Sequence, residues 1–239
     1  MVLCDERFWG TAVAASGSRA PARAGAYDRP MSRAREVRRI LDRYLIEVVE
    51  RHQLCPWARG AREHGEIAVA ILWGAPLLAG WIAAAARLLA EPATRVAMII
   101  APELGIDRPA FAALRDAVAA QLPSAGVAEF HPGAVLDLAT PARLVPFLRR
   151  SPDPLLQLVP LALIDAVRAA LPAAPLAQQA TMLGGHAVPR RELTAQIAAA
   201  NHATVTAAHA AIAATLDAIA ADRRGAYARA GISRSPWPA

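Results

Sequence analysis

Four short apolar runs alternate with stretches of helical periodicity through the middle of the chain, and this alternation limits the fold more than any other feature. The runs predicted to be strands are residues 66–73, 95–101, 126–131 and 155–159. The helices predicted to follow them cover residues 77–90, 107–122, 140–149 and 161–171. Strands that alternate with helices are typical of βαβ units. The sequence therefore predicts an α/β (or α+β) fold, with a roughly four-stranded parallel or mixed sheet flanked by helices.

Two helices of different character flank this alternating region. Residues 33–52 place apolar side chains at helical spacing between charges, and residues of about 190–223 form a long, alanine-rich helix that closes the fold. Residues 1–30 lack such periodicity and are predicted to be a disordered or non-native extension without a secretory signal. We expect a single α/β domain over residues 31–224 and a flexible tail over residues 225–239.

The composition of the chain limits which partners the protein is expected to bind and in which cellular compartment it is expected to lie. All 26 basic residues are arginine, and the net charge of +6 is spread along the chain without a basic run interleaved with aromatic residues, so no nucleic-acid partner is expected. The only cysteines, Cys4 and Cys55, indicate a reducing, cytoplasmic environment. Residues 68–86 carry no charge, but Gly74 and Pro76 interrupt them, so no membrane span is expected.

Two adjacent arginines precede a rigid turn at the start of the fourth predicted strand. The prolines of residues 151–154 fix backbone angles, and Ser151 and Asp153 can hydrogen-bond nearby backbone groups and hold the turn. Arg149 and Arg150 each offer a planar guanidinium that suits a carboxylate or phosphate. This stretch is predicted to bind a small anionic ligand. The alternative is a structural turn beside a solvated helix end.

Cys55 is the first candidate for chemistry. Pro56 suits the first position of a helix, so Cys55 is expected to be the N-cap of a short helical turn over residues 56–62. A helix N-terminus favours the thiolate form of cysteine, and Arg59 and Arg62 would act in the same direction. The alternative is a buried, inert cysteine.

His131 is the second candidate, because it ends the third predicted strand. Carboxyl ends of parallel strands commonly hold ligands, and an imidazole there can serve as acid, base or metal ligand. The leading hypothesis is an enzyme-like pocket with Cys55 as nucleophile or soft ligand, His131 as acid or base, and Arg150, alone or together with Arg149, as anion clamp. A structural, hydrogen-bonded histidine at a strand end is the alternative.

Two other functions stay open at the sequence level. One is a metal-dependent enzyme in which Cys55 and His131, with His52 or Asp153, hold iron or zinc. The other is a non-catalytic binding or scaffold protein, in which these residues only cap and brace the fold.

Three short motifs in order carry a resemblance to a known family. They are Gln-Leu-Cys-Pro-Trp-Ala at residues 53–58, Phe-His-Pro at residues 130–132, and Arg-Ser-Pro-Asp-Pro followed by Leu-Gln-Leu within residues 150–158. The chain resembles the DUF1415 family of uncharacterised bacterial proteins over about residues 33–171. The family pattern has histidine where this chain has Gln157. The resemblance implies where a site lies and brings no established reaction.

Overall fold

A computed structural model gives the structure of the protein and describes residues 28–163 and 190–233. Its centre is a four-stranded mixed sheet, as the sequence predicted. The strands are β1 (Ile67–Ile71), β2 (Val96–Ile100), β3 (Ala125–Phe130) and β4 (Leu155–Pro160). Their order in the sheet is β1-β2-β4-β3. β1 and β2 are parallel, whereas β4 lies between β2 and β3 and runs antiparallel to both.

Helices surround this sheet. They are α1 (Asp28–Tyr44), α2 (Ala58–Glu63), α3 (Leu78–Leu89), α4 (Arg108–Gln121), α5 (Pro141–Leu148) and α6 (Arg190–Ala230). α1 continues directly into a π-helical segment, Leu45–Glu50. The Asp107 and Thr140 side chains cap α4 and α5 by accepting backbone N–H bonds at 2.9 and 3.2 Å, as predicted.

Helices cover both faces of the sheet, so the side chains on both sides of each strand are buried. This explains why the strands appear in the sequence as unbroken apolar runs. On the first face, residues such as Ile67, Met98 and Leu155 pack against α1, α5 and α6. On the second face, their sequence neighbours pack against α3 and α4; Ala97 and Leu156 are examples. Adjacent residues of one strand therefore belong to different halves of the core.

The two ends of the predicted domain need correction. α1 already begins at Asp28, so residues 28–30 of the predicted extension are helical. The prediction of a tail from residue 225 is wrong as far as residue 233. α6 runs to Ala230, and both Tyr227 and Ile232, which lies just beyond the helix, are buried in the first-face core. Residues 1–27 and 234–239 lie outside the described residues. So does the predicted helix 161–171 beyond residue 163.

α6 is also long and apolar enough over Ile197–Ala230 to cross a membrane, judged by length and composition alone. Core helices of water-soluble proteins share this property. In the structure α6 contacts α1, and the Arg39 and Arg43 guanidiniums on α1 each bond Asp222 of α6 at 2.6 Å. The absence of a membrane partner stays a prediction.

Candidate functional site

A cavity of about 230 Å³ opens on the first face beside Cys55. We call it the Cys55 cavity. Apolar side chains from α1, the π-helical segment, α2 and the four strands form most of its wall; Leu41, Leu45 and Leu155 are among them. The side chains with polar atoms on this wall are those of Tyr44, Cys55, Trp57, Arg149 and Gln157. The cavity is therefore an apolar space with a few polar groups, which is the usual character of a small-molecule site.

An irregular backbone brings Cys55 to this cavity. The π-helical segment ends with the Leu54 N–H donating to the Val49 carbonyl at 2.9 Å. Gln53 then adopts a left-handed φ of 53°, which is uncommon for a residue with a side chain. The Asn201 side chain of α6 donates to the Leu54 carbonyl at 3.3 Å and holds the loop in place. Backbone irregularities of this kind concentrate at functional sites.

The predicted activation of Cys55 by a helix N-terminus is not present. α2 begins at Ala58 with Trp57 at its N-cap, so Cys55 lies outside the helix. The two arginines expected to act on the thiol turn instead to buried Glu50. Arg62 bonds both carboxylate oxygens of Glu50 at 2.6 and 2.9 Å, and Arg59 lies 3.6 Å from one of them. Both guanidiniums therefore face the single carboxylate of Glu50.

Tyr44 is the most deeply buried polar group of the cavity, with 2% of its surface exposed. Within the described part of the chain its hydroxyl has no hydrogen-bond partner. Burial, and next the proximity of Cys55, raise the pKa of Tyr44 above its ordinary value, so the hydroxyl keeps its proton. A buried hydroxyl without a partner costs about 1–3 kcal/mol.

Arg149 occupies the more open side of the cavity, with 38% of its side chain exposed. Its guanidinium lies 3.7 Å from the Glu129 carboxylate, which Arg115 approaches more closely, at 3.2 Å. Gln157 enters the wall from β4, where it is paired in register with Met98 and Ala128. Arg149 is thus loosely held at the rim.

His131 does not join Cys55. It lies on the second face, where its ring packs 5.7 Å from that of Phe111 on α4, and only 1% of it is exposed. Its Nε2–H donates to the Ile106 carbonyl at 3.1 Å, and its Nδ1 accepts from the Gly133 N–H at 3.0 Å. Burial lowers the pKa of His131, so the neutral ring with both nitrogens engaged is favoured. The expected pairing of the Cys55 thiol with the His131 imidazole is therefore not present in the structure.

His131 lines a separate cavity of about 200 Å³, together with Arg108, Glu129 and Arg149. Arg149 is shared by the two cavities because it follows α5 at the edge of the sheet. The acid or base role predicted for His131 lacks a free ring nitrogen, whereas the alternative of a hydrogen-bonded histidine at a strand end fits the contacts.

The turn after the arginines faces α6 and not the Cys55 cavity. The Ser151 hydroxyl donates to the Asp153 carbonyl at 2.6 Å and holds the turn, as the sequence suggested. The Asp153 carboxylate accepts from Arg223 Nε at 2.7 Å and from the Tyr227 hydroxyl at 2.6 Å. We call Asp153, Arg223 and Tyr227 the Asp153 network. Its carboxylate is fully engaged, so the substrate-binding role predicted for Ser151 and Asp153 is corrected to a bracing role.

Arg150, predicted as part of the anion clamp, points away from the cavity. Its guanidinium lies 3.8 Å from the exposed Asp217 carboxylate on α6. Only Arg149 of the predicted pair lines the Cys55 cavity. The guanidinium of Arg149 therefore lies at the Cys55 cavity, whereas that of Arg150 lies beside α6.

The alternative metal set is not assembled either. No three histidine, cysteine, aspartate or glutamate side chains converge as metal ligands among residues 28–163 and 190–233. Cys55 and His131 lie on opposite faces, and Asp153 is held by α6. The pKa of His52 is lowered by burial and then by the charge of Arg51.

Sequence reasoning missed Tyr44 and Gln157 as cavity residues. Tyr44 follows the apolar spacing of α1 and looks like an ordinary core residue. Gln157 carried a visible signal, because it is a polar residue within the apolar run Leu-Leu-Gln-Leu-Val at residues 155–159. All three motifs do reach the cavity, through Cys55, Phe130 and Gln157.

Comparisons of the chain with protein-family models, with curated proteins and with solved structures found no match. The resemblance to DUF1415 therefore stays a prediction.

Proposed function

We propose that the protein binds a small carboxylic acid with an apolar body in the Cys55 cavity. The observation that carries this proposal is the composition of the cavity, which is an apolar space of about 230 Å³ with one guanidinium, that of Arg149, on its more open side. Such a site suits a molecule with an apolar end and an anionic end.

The size of the cavity limits the apolar body. An apolar cavity of about 150 Å³ takes benzene, which has six carbon atoms. By the same ratio, the 230 Å³ of the Cys55 cavity admits roughly nine non-hydrogen atoms. Linear acids of six to ten carbons therefore span the suitable range, because their carboxylate stays outside at Arg149.

Arg149 can receive this carboxylate at little electrostatic cost. Its present partner Glu129 is 3.7 Å away and has Arg115 at 3.2 Å as a second partner, so Glu129 stays paired when Arg149 turns to a ligand. A hydrogen bond to a charged group contributes about 1.5–3 kcal/mol, which corresponds to a loss of about tenfold to a hundredfold in affinity when it is removed.

The proposal is one of binding and not of turnover. Of the described side chains that line the Cys55 cavity, none is a histidine, aspartate or glutamate, so Cys55 lacks an adjacent general base there. The Cys55 thiol lies on the wall and serves as a reporter of occupancy.

The test uses the Cys4→Ser chain, in which Cys55 is the remaining thiol. We expect octanoate to slow the alkylation of Cys55 by iodoacetamide in a saturable way, and calorimetry to give the same Kd. Octanamide, which has the same length without the charge, should bind at least tenfold more weakly.

Arg149→Ala and Arg150→Ala form a matched pair for this test, since both remove a half-exposed guanidinium from neighbouring positions. Arg149→Ala should weaken octanoate binding about tenfold or more, and Arg150→Ala should change it little. Equal binding by the two variants, or no saturable binding of any acid from six to ten carbons, would refute the proposal.

A further inference from the structure

The buried end of the Cys55 cavity carries a hydrogen-bond donor without a partner. Tyr44 is 2% exposed, lines the cavity, and has a hydroxyl that bonds to no other group in the described part of the chain. Trp81 Nε1 is another buried donor without a partner there, but Trp81 packs against Phe111 on the second face and lines neither cavity described above. Of these two donors, only Tyr44 belongs to a residue that lines the Cys55 cavity.

Tyr44 and Arg149 line the same cavity but differ in how far they are buried. Trp57 and Arg149 mark the open side, with 46% and 38% exposure, whereas Tyr44 is at the closed side. α1 fixes the Tyr44 backbone, and the buried side chains of Leu41 and Leu45 flank it. Tyr44 is therefore a buried residue of the cavity wall, whereas Arg149 is a partly exposed, charged one.

The protonation state of Tyr44 decides which group it can bind. Burial and then the proximity of Cys55 raise the pKa of Tyr44, so the hydroxyl keeps its proton and can offer it to an acceptor. A saturated hydrocarbon at this position would leave the hydroxyl unpaired, whereas a carbonyl oxygen would pair it. Sites with a buried polar group discriminate strongly against analogues that leave the group unpaired.

We propose that the Tyr44 hydroxyl donates a hydrogen bond to a carbonyl oxygen at the apolar end of the ligand, so that the preferred ligand is an oxo acid. Its carboxylate lies at Arg149, and its oxo group lies near the far end of the chain. This inference rests on the function proposed above and adds the second polar group that the ligand must carry.

Pairs of acids of equal shape test the inference. In 7-oxooctanoate an oxygen takes the place of the branching methyl carbon of 7-methyloctanoate, so that the two differ in hydrogen bonding and hardly in size. The same pair is made at six, seven, nine and ten main-chain carbons. We expect the unmodified cavity to bind the best oxo acid about tenfold more tightly than its methyl partner, as measured by calorimetry and by protection of Cys55 in the Cys4→Ser chain.

Tyr44→Phe in the same background is the matched variant, because it removes only the hydroxyl. It should bind the methyl acid as well as before and lose the preference for the oxo acid. If acids bind but no oxo acid is preferred at any length, the inference is overturned and the proposed function stands. A preference that survives in Tyr44→Phe also overturns it. If no acid of either kind binds, the proposed function fails together with the inference.

Discussion

The Asp153 network and the Cys55 cavity both lie around the first face of the sheet, yet they differ in how their polar groups are satisfied. In the network, the Asp153 carboxylate has Arg223 at 2.7 Å and the Tyr227 hydroxyl at 2.6 Å. In the cavity, the Tyr44 hydroxyl has no partner among the described residues. The first arrangement is complete without any ligand, which is typical of a structural brace. The second leaves both space and a donor unused, which is typical of a binding site.

The largest expected effect on stability comes from breaking the Asp153 network. Asp153→Asn keeps the size of the side chain but leaves the Arg223 guanidinium buried without its counter-charge. Removal of one partner of a buried ion pair costs about 3–5 kcal/mol, and we expect a loss of this size in the free energy of unfolding by urea. Asp217→Asn is the control, because that carboxylate is exposed and 3.8 Å from Arg150, and it should cost less than about 0.5 kcal/mol. Similar effects of the two changes would contradict the bracing role.

Two buried tyrosines sharpen the comparison with a single chemical change. Tyr227→Phe removes a hydroxyl that donates to Asp153, and we expect it to lower the free energy of unfolding by about 1–3 kcal/mol. Tyr44→Phe removes a hydroxyl that has no partner among the described residues, so it should leave the free energy of unfolding unchanged or raise it by up to about 1–3 kcal/mol. Thermal and urea unfolding of both variants measure the difference. A larger loss from Tyr44→Phe would show that its hydroxyl is already bonded in the free protein.

The smallest expected effect is the dependence of stability on pH that His131 causes. Like the Asp153 carboxylate, His131 has its polar atoms satisfied within the protein, because both of its ring nitrogens are hydrogen-bonded. Burial holds the pKa of His131 below its usual value of about 6.5, so below this pH the unfolded chain takes up a proton that the folded chain resists. Stability should therefore fall as the pH drops from about 6.5 through the lowered pKa, and His131 should add no pH dependence above that range.

His131→Gln isolates this contribution from that of His52, whose pKa burial also lowers and which acts with the same sign. The difference in unfolding free energy between the original chain and the variant should shrink between pH 7.5 and pH 5. Urea titrations at several pH values measure it. A difference that stays constant with pH would mean that His131 does not resist protonation.

The elements of the fold could be predicted from the sequence because their signals are local. The four strands, and the caps at Asp107 and Thr140, each depend on a few neighbouring residues. The reversed direction of β4 could not, since it depends on how the chain returns across the sheet, and the prediction left both parallel and mixed arrangements open. The burial of Tyr227 and Ile232 was missed because an alanine-rich helix has no clear apolar stripe to show where its packing ends.

Only part of the site could be predicted, because local sequence signals locate its motifs but do not show which way each side chain faces. Its motifs do meet, but single positions within them were assigned to the wrong neighbours. Phe130 contributes to the Cys55 cavity, and His131, one residue later, lies on the opposite face of the sheet. Arg149 reaches the cavity, and Arg150 turns to α6. Strand register and helix phase decide which of two adjacent residues faces a given side. The order of residues in a motif determines neither of them.

The contact between α1 and α6 has a consequence for synthesis of the protein. α1 is among the earliest described elements to leave the ribosome and α6 is the last, and α6 helps to bury the first-face core. Until α6 emerges, the nascent chain carries an uncovered apolar surface along α1 and the sheet, which is the kind of surface that chaperones protect. A chain truncated within the final helix would therefore be prone to aggregate, because the first-face core would stay uncovered.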